Sequence, residues 1–108
     1  MNKHINITDV SKSIRNIISH NPLVKKIGIF GSLARGNFNE NSDIDILIAY
    51  DETDDFQPER FLQFCKLCNK VIDDLSNIYG RKIDLVQFEV EPAYTLSNDD
   101  IGSEVLWL

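Results

Sequence analysis

Residues 43–50, DIDILIAY, constrain the fold of this chain more than any other stretch. Beyond the two aspartates the run is apolar at every position, the pattern of a strand buried on both faces. Such a strand needs a sheet around it and covering layers outside the sheet. The carboxylates at its start are the anomaly. Side chains alternate along a strand, so Asp43 and Asp45 share one face while Ile44 and Ile46 point into the other layer.

The flanking sequence supplies the layers. Thr8 can cap a helix in which Val10, Ile14, Ile17 and Ile18 recur at helical spacing until Asn21-Pro22 ends it. Residues 24–30, VKKIGIF, read as a strand, and Ser32 to Arg35 as a short helix that Gly36 can terminate. Pro58 fits a first helical turn, and Phe61, Phe64, Cys65, Cys68, Val71, Ile72, Leu75 and Ile78 form a long apolar stripe ending at Gly80. Residues 82–88, KIDLVQF, give a third strand, and Asp99 to Leu108 a short terminal helix. The order helix, strand, strand, helix, strand, helix predicts an α+β fold, a small mixed β-sheet flanked by helices, in a single domain over residues 1–108.

Charge narrows the function classes. The formal net charge of -6 disfavours nucleic acid as a partner, because neutralising phosphates requires clustered Lys and Arg. No apolar run approaches the roughly 18 residues of a membrane span, and the start MNKHINITDV lacks the apolar core of a signal peptide. A cytoplasmic protein with no membrane attachment is expected. Cys65 and Cys68 lie within the helical stripe, with no second cysteine pair and with His4 and His20 far away in sequence. They are expected to be buried free thiols rather than a zinc site or a disulfide.

The chemistry gathers around the Gly31-Ser32 turn and the aspartates. Two carboxylates on one strand face repel each other and need a compensating cation. Asp84 repeats the pattern, one carboxylate in an otherwise apolar strand. If that strand lies next to residues 43–50, three carboxylates converge and offer the hard oxygen ligands that Mg²⁺ takes. Gly31 lets backbone approach a ligand closely, and the amides at the following helix start, the Ser32 hydroxyl and the Arg35 guanidinium suit an anion such as a triphosphate. Each feature alone has an ordinary reading. Gly31-Ser32 can be a simple turn, the aspartates edge protection, Arg35 a solvated residue or a brace for the loop, and Asp84 the ion-pair partner of Arg81 or Lys82. Their coincidence is what points to a site.

Gly31-Ser32, ten residues, then Asp43-Ile44-Asp45 resembles the signature of the DNA polymerase beta-like nucleotidyltransferase superfamily. GSLARG, SDIDILI and KIDLV together are similar to the minimal nucleotidyltransferases, small proteins encoded beside HEPN-domain partners as antitoxins. The resemblance implies the polymerase beta-like nucleotidyltransferase fold. It also implies two Mg²⁺ ions held by Asp43 and Asp45, with Asp84 completing the metal site nearer the attacking hydroxyl and helping to deprotonate it. Gly31 and Ser32 would hold the β and γ phosphates, with Arg35 beside them. The implied reaction is in-line attack of a hydroxyl on the α-phosphorus of a nucleoside triphosphate, with release of pyrophosphate.

Transfer of AMP from ATP to a tyrosine of a cognate HEPN toxin is the leading expectation. The alternatives are transfer to a small molecule, as aminoglycoside nucleotidyltransferases perform it, and a non-catalytic antitoxin that blocks its partner by binding. A partner protein or a homo-oligomer is expected from two apolar features: Leu62 and Leu67 outside the long stripe, and the tail Val105-Leu106-Trp107-Leu108. The competing expectation for the tail is that Trp107 folds back onto the core.

Overall fold

The computed structural model describes residues 5–51, 57–88 and 105–108. Its elements are α1 (Ile7–Ile18), β1 (Val24–Phe30), α2 (Gly31–Arg35), β2 (Ile44–Tyr50), α3 (Pro58–Tyr79), β3 (Ile83–Phe88) and β4 (Leu106–Trp107). The sheet runs in the order β3-β2-β1-β4, with β2 antiparallel to β1 and parallel to β3. The fold is α+β with a mixed sheet, as the sequence predicts.

β2 occupies an interior position because both of its faces are apolar. Ile44, Ile46 and Ile48 point to one layer, where they join Ile27, Ile29 and Ile83 against Val10 and Ile14 of α1 and Phe64, Cys68, Val71 and Leu75 of α3. Leu47 and Ala49, on the opposite face, are buried as completely. Each such Ile or Leu contributes about 1.5–3 kcal/mol by leaving water, so β2, the strand that carries Asp45, is firmly held. A parallel neighbour cannot be joined by a tight turn, and α3 lies in the connection from β2 to β3.

The ends of the elements follow local chemistry, with three corrections. Asn6, not Thr8, caps α1: its side chain accepts from the amide of Asp9 at 2.8 Å. That choice puts Ile5 before the cap and Val10 in the first turn, and both enter the core, the arrangement of a hydrophobic staple. β2 and β3 each begin one residue later than expected, at Ile44 and Ile83, leaving Asp43 at the end of the preceding loop.

The expected terminal helix is replaced, within the described residues, by strand β4 paired with β1; its first part, 99–104, lies outside them. Val105, Leu106, Trp107 and Leu108 satisfy apolar alternation as well as helical spacing, and tertiary pairing decides between them. The tail thus packs on the sheet, with Trp107 in register with Gly28.

Leu67 is buried, contrary to its assignment outside the stripe, while Leu62 is exposed. Both cysteines are free thiols. Cys68 is buried, and burial, with Cys65 nearby, pushes its thiol up to about 11, the behaviour of an inert core residue. Among the described residues no helix is long and apolar enough to cross a membrane.

Candidate active site

Phe30, Asp45 and Asp84 occupy one rung of the sheet, Phe30 on β1 and Asp84 on β3 flanking Asp45 on β2. Residues in register across a sheet share a face. Asp45 and Asp84 therefore project together, away from the layer in which Ile44, Ile46 and Ile83 pack on α1 and α3. Asp45 and Asp43 are half-buried and Asp84 is exposed.

The turn after β1 brings α2 against this rung. Gly31 has φ of 71°, and a Cβ added to it would run into the Asp45 carboxylate. Only a glycine allows the backbone to lie against that side chain in that conformation. α2 is a single turn pinned by buried Leu33, and the Ser32 carbonyl accepts from the amides of both Gly36 and Asn37 at 3.0 Å. Gly36, at φ 85°, closes the helix as the sequence predicts. Arg35 stands exposed in its last turn, with its charge close enough to act on Asp45.

The site is electrostatically loaded. The Asp45 carboxyl is held above the usual carboxylate range, first by burial, then by the neighbouring charges of Asp84 and of Asp43, with Arg35 opposing them. Mutual repulsion of this kind is relieved by a cation. The donor set, carboxylate oxygens beside a turn too tight for a Cβ, suits Mg²⁺, which binds through one or two carboxylates and takes its remaining oxygens from water and phosphate. Among the described residues no three His, Cys, Asp or Glu side chains are gathered tightly enough to hold an ion by themselves.

The structure thus brings Gly31, Asp45 and Asp84 together, sets Asp43 and Arg35 within electrostatic reach, and places Ser32 in the same turn. Sequence reasoning missed one residue. Arg81 is not the ion-pair partner of Asp84; it donates to the carbonyls of Asn39, Glu40 and Ser42 in the loop leading to Asp43, at 2.7–2.8 Å. The available signal was a polar loop, GNFNENS, whose carbonyls need donors, opposite an arginine at a strand entrance.

With this geometry in view, comparison with known proteins is decisive. The family model described as polymerase beta, nucleotidyltransferase, matches residues 12–106. The chain belongs to the polymerase beta nucleotidyltransferase family. Two Methanocaldococcus jannaschii proteins, each provisionally named a protein adenylyltransferase, are similar to it. One is 41% identical over 80 residues, covering 74% of this chain and 72% of the relative. The other is 39% identical over 80 residues, covering 74% and 83%. The protein adenylyltransferase MntA of Thermococcus cleftensis is 36% identical over 63 residues, 58% of this chain and 55% of that one. A solved mutant form of the toxin-antitoxin MntA-HpeT shares the fold at a TM-score of 0.55 and 18% identity, over 97% of this chain and 72% of that chain. This polymerase beta family member is accordingly a nucleotidyltransferase.

Proposed function

We propose that this nucleotidyltransferase transfers AMP from ATP to a hydroxyl of a partner protein, a tyrosine of a HEPN-type toxin, and acts in the cytoplasm as its antitoxin. The observation that carries the reading is the Asp45 carboxylate lying against Gly31 with Asp84 in register beside it. That contact puts a carboxylate group and the glycine turn at the start of α2 side by side. The relatives named protein adenylyltransferases support protein as the acceptor class. The fold shared with MntA-HpeT agrees with a toxin partner.

In this reading Gly31 and Ser32 seat the β and γ phosphates at the start of α2, and Arg35 adds positive charge beside them. Asp43 and Asp45 would hold Mg²⁺, with Asp84 contributing on the acceptor side. When bound, two Mg²⁺ ions would neutralise the triphosphate and favour the charge that develops on the entering and leaving oxygens. The acceptor oxygen forms a bond to the α-phosphorus as the bond from that phosphorus to the α,β-bridging oxygen breaks, and pyrophosphate leaves. The hydroxyl proton passes to Asp84, which, being exposed, can return it to water.

The test is incubation of the purified chain with the protein encoded beside it and α-labelled ATP, followed by mapping of the labelled residue. Label on a tyrosine of that protein, lost in the Asp43→Asn, Asp45→Asn double variant, is the expected result. Wild-type chain that transfers no label to the neighbour, or a double variant that still transfers it, would sink the proposal.

A further inference from the structure

The loop of residues 37–43 delivers Asp43 to the site without regular structure of its own, so its hydrogen bonds define how it is held. Within the loop, Asn39 N donates to Ser42 Oγ at 3.0 Å, Asn41 N to Asn39 Oδ1 at 2.8 Å, and Ser42 N to the Asn39 carbonyl at 3.0 Å. Among the described residues, Arg81 adds three further bonds to it. Arg81 Nη1 donates to the Glu40 carbonyl at 2.7 Å and to the Ser42 carbonyl at 2.8 Å, and Nη2 donates to the Asn39 carbonyl at 2.8 Å. Its guanidinium lies 4.8 Å from the centre of the Phe38 ring, and Phe38 packs against the core. The adjacent Lys82 carbonyl accepts from Ile44 N at 3.0 Å.

The peptides on both sides of Asp43 are therefore tied to residues 81 and 82. Two residues further along the same chain segment, Asp84 sits in register with Asp45. This short stretch thus ties the backbone on either side of Asp43 to the strand that carries Asp84. Arg81 directs its guanidinium to carbonyls, not to the carboxylates, so it orders the aspartates without competing with a metal for their oxygens. A planar fork that reaches three carbonyls at once is specific to arginine; a lysine ammonium on a flexible stem cannot reproduce it.

We propose that Arg81 is a positioning residue that presents Asp43 beside Asp45 in a metal-binding arrangement. The proposal rests on the metal-dependent transfer reading given above. It is tested with full-length wild type, Arg81→Ala and Arg81→Lys. Binding of Mn²⁺ in the presence of α,β-methylene-ATP is followed by the spin-resonance signal of free Mn²⁺, and amide exchange of Ser42 and Ile44 is followed without metal. In both variants the Mn²⁺ dissociation constant should rise about tenfold or more, the range seen when groups supporting metal ligands are removed. Exchange at Ser42 and Ile44 should quicken.

An arginine of merely structural importance would lower the melting temperature without weakening Mn²⁺ binding in the folded molecules. Unchanged Mn²⁺ affinity in a folded variant would overturn the assignment. Should Arg81→Ala fail to fold, Arg81→Lys, which keeps the charge and the aliphatic stem, carries the same comparison. Wild type that binds no Mn²⁺ with the nucleotide analogue would instead overturn the transfer reading, and the assignment with it.

Discussion

Asp45 and Asp84 stand opposite each other on the parallel ladder of β2 and β3, and burial and the Asp84 charge are the two leading causes that hold the Asp45 carboxyl above its usual range. A carboxyl whose folded pKa is raised binds its proton more tightly in the folded state. Its contribution to stability is fully present below the unfolded pKa and is lost as pH rises through the folded one. With chelator present, wild type should therefore lose stability from the ordinary carboxylate range upward, and Asp45→Asn should lose less. Much of the repulsion is screened by solvent, so the gain at neutral pH is about 0.5 kcal/mol, a few degrees in melting temperature. Melting curves from acid to neutral pH check this. A variant less stable than wild type at neutral pH would contradict it.

In the proposed reaction the same pair would separate binding from turnover. Asp43→Asn and Asp45→Asn each remove an oxygen ligand that the bound nucleotide's metal would share, and each should lower transfer by at least about 100-fold. Asp84→Asn should lose turnover to a similar degree yet keep Mg²⁺-nucleotide affinity within a few-fold if it acts on the acceptor side, as proposed. Calorimetric titration of ATP with Mg²⁺ into the three variants distinguishes these outcomes. Equal loss of affinity in all three would show that the division of roles is wrong.

Gly31→Ala tests the close approach directly. The residue sits at φ 71°, where a side chain costs about 1–2 kcal/mol. The added Cβ would also press on the Asp45 carboxylate. Expected are a stability loss of about 1–3 kcal/mol and a weakened nucleotide site. The part due to contact should be relieved in the Gly31→Ala, Asp45→Ala double variant. Denaturant unfolding of the four proteins measures the coupling, and strict additivity would mean that the two residues do not press on each other.

Much of the fold was legible because its signals were local. The apolar run from Ile46 to Tyr50, the stripe on α3 and the glycine that ends it, and the Gly36 cap are each written in a few neighbouring residues. Two cases were not, because the deciding partner is distant in sequence. Leu106 and Trp107 suit a helix or a strand, and β1, far earlier in the chain, selects the strand. Arg81 beside Asp84 suggests an ion pair until the loop ending at Ser42 folds over it and offers carbonyls. At the site, the closeness of Asp43 to Asp45 and the lone carboxylate at Asp84 were readable, whereas the register of Asp45 with Asp84 across β2 and β3 needed the sheet itself.

The tail yields the last prediction. Trp107 faces Gly28 across the antiparallel pair, and a Cβ on Gly28 would come within 2.9 Å of the indole. Lys26 lies 4.4 Å from the centre of the same ring. Alternation sends Leu108 to the other face, where it packs against the core, and its amide donates to the Ile27 carbonyl at 2.9 Å. The tail therefore covers both sides of one strand and pairs the edge of β1 from Ile27 to Ile29. Removing residues 105–108 should cost about 2–4 kcal/mol, and Trp107→Ala, at a partly buried position, about 1–3 kcal/mol. Lys26→Ala should cost no more than about 1 kcal/mol, the scale of an exposed cation on a ring. Truncation should also promote self-association, because β1 then presents unpaired backbone along its edge. Unfolding curves with light scattering on the same samples read both effects. A truncated chain of unchanged stability that no longer binds its neighbouring protein would move the tail from the sheet to an interface.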